Sequence, residues 1–345
     1  MQRRSVLKAG VLGLSLWRPL RAAEPLRLAT FADYIVPEAL AEFSDRHGVG
    51  IETVVFDSNE ELLAASVRGE RFDLLTISHY MVPHFAALGL LQTVPAAAID
   101  ALQPEHWDSK LARYGRLDKR WIAVPKNSGT TGFIYRRSRL PAMTGWRAFW
   151  DAIPAAASKR CSVIDDVQSL LGAALRYHGD SMNSTRPQQL LRAEQLLQDR
   201  RPHIRALATE ASEAITAGDW LTMAWSDGGY SLSAENADLI FVNPDDGGDI
   251  WCDFYAIGAD SQQLASAVAL LSWLLQPEQI AREVAALGVS PVDNRVLSLL
   301  PDAVRKNPIV FPSRPLLAAM ESSSQEALRE PLRGEIFARF AASFQ

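Results

Sequence analysis

The feature that most constrains this fold is one pattern played twice: short apolar segments at strand length alternate with longer segments at helical spacing. Leu26 to Thr30 reads as a strand. Pro37 to His47 follows with apolar residues three and four apart, and Gly48 supplies a stop. Ile51 to Phe56 predicts a second strand, and Ser58-Asn59-Glu60-Glu61 is a capping box opening a helix to Val67. Phe72 to Thr76 predicts a third strand. After Pro125 the alternation resumes, with strands expected over Thr131 to Tyr135, Cys161 to Ile164 and Leu221 to Trp225. Helices are expected over Trp146 to Ile153, Val167 to His178, Gln188 to Asp199 and Ala211 to Ala217. Asp238 to Val242 and Trp251 to Ile257 predict further strands, and the chain from Gln262 reads as mainly helical.

Strands alternating with helices imply parallel or mixed sheets covered on both faces. A chain of 345 residues exceeds what one core usually serves, so two such lobes are expected. No flexible linker separates them, which predicts lobes joined by strands acting as a hinge near Asn127 to Thr130 and Asp249 to Asp253. The expected division puts 24–127 with 253–297 in one lobe and 128–252 with 298–345 in the other.

The N-terminus departs from this pattern. Arg3 and Arg4 precede Ser5-Val6-Leu7-Lys8, then an apolar run from Ala9 to Trp17, then small residues at Ala22-Ala23. That order reads as a signal peptide over 1–23, its apolar run too short to span a bilayer. Paired arginines ahead of the run, with Arg18 and Arg21 beside the cleavage site, point to the twin-arginine export machinery and a periplasmic destination. Cleavage removes five basic residues and no acidic one, taking the formal charge from −5 to −10. An acidic surface without a Lys/Arg stripe argues against nucleic acid as a partner. Cys161 and Cys252 are the only cysteines, too few for a disulfide scaffold and without metal-ligand spacing, so two free thiols and one pair are both open. No metal or cofactor is expected.

In open α/β sheets, ligands sit beyond the carboxyl ends of the strands. There the sequence places aromatics, carboxylates or both at five strand ends: Phe31-Ala32-Asp33-Tyr34, Ser78-His79-Tyr80 after its strand, Asp165-Asp166, Trp225-Ser226-Asp227 and Trp251-Cys252-Asp253. Each has an ordinary alternative: Trp225 and Trp251 as core aromatics, Asp227 and Asp166 as helix caps, Tyr80 as packing and Ser78 as a turn residue. Their recurrence at strand ends points instead to a protonated amine, which an aromatic face attracts and a carboxylate holds by charge-assisted hydrogen bonds.

Phe31-Ala32-Asp33-Tyr34 with Pro37, Asp57-Ser58-Asn59-Glu60 and Asp73-Leu74-Leu75 leading to Ser78-His79-Tyr80 resemble the bacterial spermidine/putrescine-binding periplasmic proteins. Asp165-Asp166, Met223-Ala224-Trp225, Gly247-Gly248 before Trp251-Cys252-Asp253, and Leu274-Leu275-Gln276-Pro277 continue the likeness in order. The resemblance implies the two-lobed periplasmic-binding-protein architecture of the second type. It also implies a monomer that encloses a small cationic amine and delivers it to an ABC transporter permease. It places Phe31, Trp225 and Trp251 at aromatic walls and Asp33, Asp166 and Asp253 at acidic positions, with Ser78 and Tyr80 lining the first lobe. Ser169, Ser128 and Val289 depart from it, standing where an acidic residue and two aromatics are usual, which leaves a shorter diamine or another cationic metabolite open. An exported enzyme is the competing class, yet neither a metal-binding His motif nor a nucleophile elbow nor a phosphate loop is present in the sequence, and its six histidines are scattered. A ligand sensor on the same fold is the remaining alternative.

Overall fold

The computed structural model describes residues 24–344; the expected signal segment 1–23 lies outside the described residues. The first lobe begins as the periodicity requires. Strands Leu26–Thr30, Ile51–Val55 and Leu74–Ser78 run parallel, with Leu26–Thr30 in the middle. Helix Pro37–His47 ends at Gly48, whose φ of 66° is the left-handed conformation that glycine adopts without a Cβ clash. Helix Asn59–Val67 is capped by Ser58, whose hydroxyl accepts from the Glu61 amide at 3.1 Å.

Two long strands carry the chain between the lobes. Val124–Arg136 pairs over its first half with Ile250–Ile257, and over its second half with Leu221–Trp225 and Leu239–Val242. Ile250–Ile257 in turn pairs antiparallel with Leu74–Ser78. Ten strands therefore form one continuous sheet, whose second half ends in the parallel strands Cys161–Ile164 and Ala206–Ala208.

Two hydrophobic cores flank the crossing. The first gathers Leu28, Phe43, Leu74, Phe254 and Leu271; the second gathers Phe133, Trp146, Trp150, Val163 and Leu171. Leu300, Val304 and Val310, beyond the expected change of lobe at residue 298, pack in the first core, whereas Ile336 and Phe340 of helix Pro331–Ala342 pack in the second. Cys252 lies in the first core and Cys161 in the second, both as buried free thiols. Among the described residues no helix is long and apolar enough to cross a membrane.

The hinge strand departs most from its expected bounds, starting at Val124 rather than Thr131. Lys126, Asn127, Ser128 and Thr130 break the apolar alternation, yet all are at most 3% exposed. Their burial is met by polar partners rather than by apolar packing, so hydrophobic periodicity does not register them. The third strand is displaced from Phe72–Thr76 to Leu74–Ser78, which puts Ser78 within the strand and directly opposite Asp253.

Candidate ligand-binding site

The site grows from the paired hinge strands. Asp253 lies opposite Asn127 and Trp251 opposite Gly129, and alternate residues of a strand share a face, so Asp253 and Trp251 stand side by side. Gly129 is required here: a Cβ would fall 2.2 Å from the Trp251 ring and 2.5 Å from Ser226 Oγ. Glycine lets the indole lie flat on the strand pair.

Tyr34, in the turn after the first strand, reaches this face from the first lobe. Its hydroxyl lies 2.6 Å from Asp253 Oδ2 and 2.8 Å from Asn127 Oδ1, sharing one proton between two acceptors. Asn127 Nδ2 donates to Glu283 Oε1 at 2.8 Å, and Lys126 Nζ pairs with the same oxygen at 2.9 Å. The ammonium also donates to the Tyr34 carbonyl at 3.1 Å and lies 3.9 Å from the centre of the Tyr34 ring. Lys126 is thus fully engaged in holding Tyr34 and Glu283 in place, and Glu283 carries its counter-charge.

Ser78 and Tyr80 are joined through Asn59, whose amide donates to Ser78 Oγ at 3.0 Å and to the Tyr80 hydroxyl at 3.1 Å. Phe31 packs edge-on against Tyr34 at 5.7 Å between ring centres. Asp33, at φ 50°, is exposed and stands at the mouth of the cleft, near enough to Glu210 of the second lobe to act on its carboxyl. From the second lobe, Asp166 caps helix Val167–Tyr177 by accepting from the Ser169 amide at 2.7 Å, which is the capping alternative read from the sequence. Trp225 packs against both cores and leads into helix Ser226–Glu235, placing Asp227 in its first turn.

The lobes meet across this arrangement. Gln325 Nε2 donates to the Tyr80 carbonyl at 2.7 Å, and Asp166 of the second lobe acts on Glu60 of the first. Tyr34, Ser78, Tyr80, Asp227, Trp251 and Asp253 are brought together, with Phe31 at their edge; Asp33 stays exposed, and half-buried Asp166 acts on Tyr80 and Asp249.

Charge defines what the arrangement can do. Oδ1 of Asp227, Asp249 and Asp253 and Nε1 of Trp251 are buried without a hydrogen-bond partner. Burial raises the Asp253 carboxyl above its ordinary range, offset by the nearby hydroxyls of Tyr34 and Ser78 and the charge of Lys126. Asp227 is raised by burial too, against the backbone amides of its own helical turn, with Asp253 adding to the rise. Asp249 is pushed to about 8 by burial and by Asp166, and Glu210 to about 7 by burial, Asp227, Glu213 and Asp33. Every one of these shifts says that the anion is disfavoured unless a positive charge joins it. His79, buried between the Tyr80 and Tyr114 rings, is lowered to about 4 and brings no cation at neutral pH.

From the sequence, Asn59 and Glu60 stood in a capping box and in the resemblance, and Asn127 and Asp249 only as bounds of the hinge, none of them as site residues; Lys126, Glu283 and Gln325 were passed over. The available signal was the polar run Lys126-Asn127-Ser128 just ahead of an apolar strand, immediately after Pro125.

Two α/β lobes crossed by paired strands, with polar and aromatic side chains converging between them, define a solute-binding clamp. The chain belongs to the bacterial extracellular solute-binding protein family, whose sequence profile matches residues 38–312. It is 27% identical over 331 residues to the putrescine-binding periplasmic protein of Escherichia coli K12, covering 89% of each chain. It is 25% identical to a putrescine/agmatine-binding protein of Pseudomonas aeruginosa, covering 87% of this chain and 86% of that one. Among solved structures, a putative spermidine/putrescine ABC transporter protein from Listeria monocytogenes superposes with a TM-score of 0.82 at 22% identity, covering 92% and 98% of the two chains.

Proposed function

We propose that this protein captures a small cationic amine between its lobes and delivers it to an ABC transporter permease. The observation that carries the reading is the set of buried carboxylates Asp227, Asp249 and Asp253, each with an unpartnered oxygen, with Asp253 held by the Tyr34 hydroxyl and in phase with Trp251 on its strand. Lys126, the buried base at the site, is already neutralised by Glu283. A protonated amine supplies what these groups lack, since its N–H donors satisfy the free oxygens and its charge restores the anions. The ligand names of the relatives agree with that chemistry.

On this reading the lobes are 24–127 with 253–297 and 128–252 with the remainder, except that 298–310 pack with the first. Asp253 holds an ammonium, Trp251 and Trp225 wall the alkyl chain with Phe31 at the edge, and Tyr34, Ser78 and Tyr80 orient the carboxylates. Asp227 adds a second negative charge, while Asp33 and Asp166 set the field at the rim. The protein works as a monomer without a cofactor and catalyses no reaction. Its segment 1–23 directs export through the twin-arginine route and is removed in the periplasm. A thermal-shift screen of the chain from residue 24 against linear amines, amino acids and metal ions tests the reading. A ligand at about 100 times its dissociation constant stabilises by about 2.7 kcal/mol, readily seen as a rise in Tm. Stabilisation by amino acids or metal ions and by no amine would defeat it.

A further inference from the structure

A different chemistry stands on the first lobe, outside the cleft. From Lys110 to Trp121 the chain carries five basic residues, Lys110, Arg113, Arg116, Lys119 and Arg120, against the single acid Asp118, whereas residues 24–345 as a whole hold 30 basic and 40 acidic residues. All five are exposed. None of them enters an ion pair among the described residues. The acids just before them are engaged elsewhere: Asp108 caps the short helix Ser109–Ala112 through the Lys110 amide at 2.8 Å, and Glu105 acts on Arg295. Arg116–Leu117 and Arg120–Trp121 pair antiparallel as a hairpin apart from the main sheet. Its turn residues, Asp118 at φ 47° and Lys119 at φ 69°, are both left-handed, a turn whose second place glycine fills most easily. Lysine stands there instead, so the turn gives up backbone ease and sets a cation at its tip. Leu117 beside it is 42% exposed, and Trp121 is half-buried. Arg116 lies 5.2 Å from the centre of the Trp121 ring and donates to the Lys119 carbonyl at 3.2 Å, while Arg113 lies 4.8 Å from the Tyr114 ring. Both guanidiniums are held in place without being neutralised. The foot of the hairpin is fixed: the Ile122 and Ala123 amides donate to the Gly115 carbonyl at 2.9 and 3.1 Å, and Trp107 packs edge-on against Trp121.

Independently of the amine-binding reading, we infer that this hairpin is a docking surface for an anionic phospholipid bilayer. Arginine offers a planar fork of donors that matches phosphate and lysine a point charge, so the cluster fits a layer of headgroup phosphates. The exposed Leu117 at the tip and the half-buried Trp121 behind it add apolar contact at the acyl boundary, the level at which indole rings settle. Basic residues alone suit any anion; an exposed leucine among them favours lipid over an acidic protein loop. The acidic remainder of the molecule does not cancel the attraction, because exposed charges farther away than a Debye length of about 8 Å are largely screened at physiological salt. The place of the hairpin gives the contact a use. Tyr114 at its foot packs on the His79 ring at 4.9 Å, and His79 adjoins Tyr80, whose carbonyl takes the interlobe bond from Gln325. A bilayer bound at the hairpin thus brings the seam between the lobes to the membrane.

Sedimentation of the chain from residue 24 with vesicles tests this, one set of phosphatidylglycerol and phosphatidylethanolamine at about one to three and another of phosphatidylcholine alone. Wild type is expected to bind the first set at low salt, to leave it as salt rises, and to ignore the second. Lys119→Glu with Arg120→Glu is expected to weaken binding by about ten-fold or more, and Leu117→Ser by about two-fold or more. Arg137→Glu with Arg139→Glu makes the same change of net charge on exposed residues of the second lobe and is expected to stay within about two-fold of wild type. If the hairpin pair unfolds, Lys119→Gly replaces it: this change eases the turn and removes one charge, so Tm is expected to rise while vesicle binding weakens. Equal losses from the two paired variants overturn the inference, since overall charge then governs. Equal binding to both vesicle sets, or no binding by wild type, overturns it as well. If wild type ignores the vesicles while Lys119→Glu with Arg120→Glu slows amine uptake by cells, the hairpin meets an acidic face of the permease and the lipid assignment falls. Amine titration of the isolated protein is a separate readout, so amine capture and lipid docking stand or fall apart.

Discussion

Replacing Asp253 by Asn removes one charge and almost no volume. In the protein Asp253 is 5% exposed, with Oδ2 held by Tyr34 at 2.6 Å and Oδ1 left unpartnered on the site face. An ammonium enclosed there loses its hydration, and the carboxylate is the group that offsets the loss. Removing one member of such a charged, desolvated pair costs about 2–5 kcal/mol. Asp227 acts directly on Asp253 and keeps a second negative charge nearby, so the lower part of that range applies, about 2–3 kcal/mol. At 1.4 kcal/mol per tenfold this is a loss of ~30-fold to ~150-fold in affinity. Ligand-free stability moves the other way or not at all, because Asn avoids burying a charge and still offers Oδ1 to Tyr34. Calorimetry with the best amine from the screen, together with melting curves of the free proteins, gives both numbers. Trp251→Leu serves as the comparison, with a smaller loss of about 0.5–2 kcal/mol from the missing aromatic face. If Asp253→Asn binds the amine as tightly as wild type, no cation sits at this carboxylate and the charge argument is wrong.

Three further outcomes are expected. The ligand-free protein should lose stability as pH rises from 6.5 to 8.5, because Asp249, raised to about 8 in the folded state, binds its proton more tightly than the unfolded chain does, and that contribution disappears as pH passes through its folded value. Below pH 8 the slope from Asp249 alone approaches 1.4 kcal/mol per pH unit, and denaturant unfolding of Asp249→Asn should show a distinctly flatter profile. His79 contributes with the opposite sign only below pH 6.5, where the unfolded chain takes up a proton that the buried ring refuses down to about 4, so it leaves this window clear. Gly129→Ala should destabilise the fold by about 1–3 kcal/mol and weaken amine binding, since its Cβ collides with the Trp251 ring; an unchanged Tm and affinity would show that the indole has room to shift. Replacing Arg3 and Arg4 together by Lys should leave unprocessed precursor in the cytoplasm on fractionation, and normal periplasmic yield would indicate the general secretory route.

What the sequence made legible followed from periodicity and from chemistry at strand ends. Helix Pro37–His47 announces itself by apolar spacing and a terminal glycine, strand Cys161–Ile164 by its length and flanks, and Asp253 by standing beside an aromatic at a strand. The sequence predicts a hinge near Asn127 to Thr130 and Asp249 to Asp253, yet a strand only from Thr131, where the structure has one from Val124. Its first half reads Lys126-Asn127-Ser128-Gly129-Thr130, a polar loop by every local rule, and becomes a buried strand only because residues far along the chain meet it. Glu283 lies 157 positions after Lys126, and Tyr34 lies 93 before Asn127; no local window contains these pairs. Asp249 was legible only as a bound of the hinge. Its phase with Trp251 and Asp253 depends on the hinge strands pairing through Thr131. The groups that the local pattern misses are therefore those whose polar burial is satisfied at long range, and in this protein they are the groups that hold Tyr34 and Asp253 in place. A single buried carboxylate could belong to many folds. Asp253, on a strand that crosses between two lobes, is acted on by Tyr34 of the first lobe and by Asp227 of the second, so its surroundings are built from both.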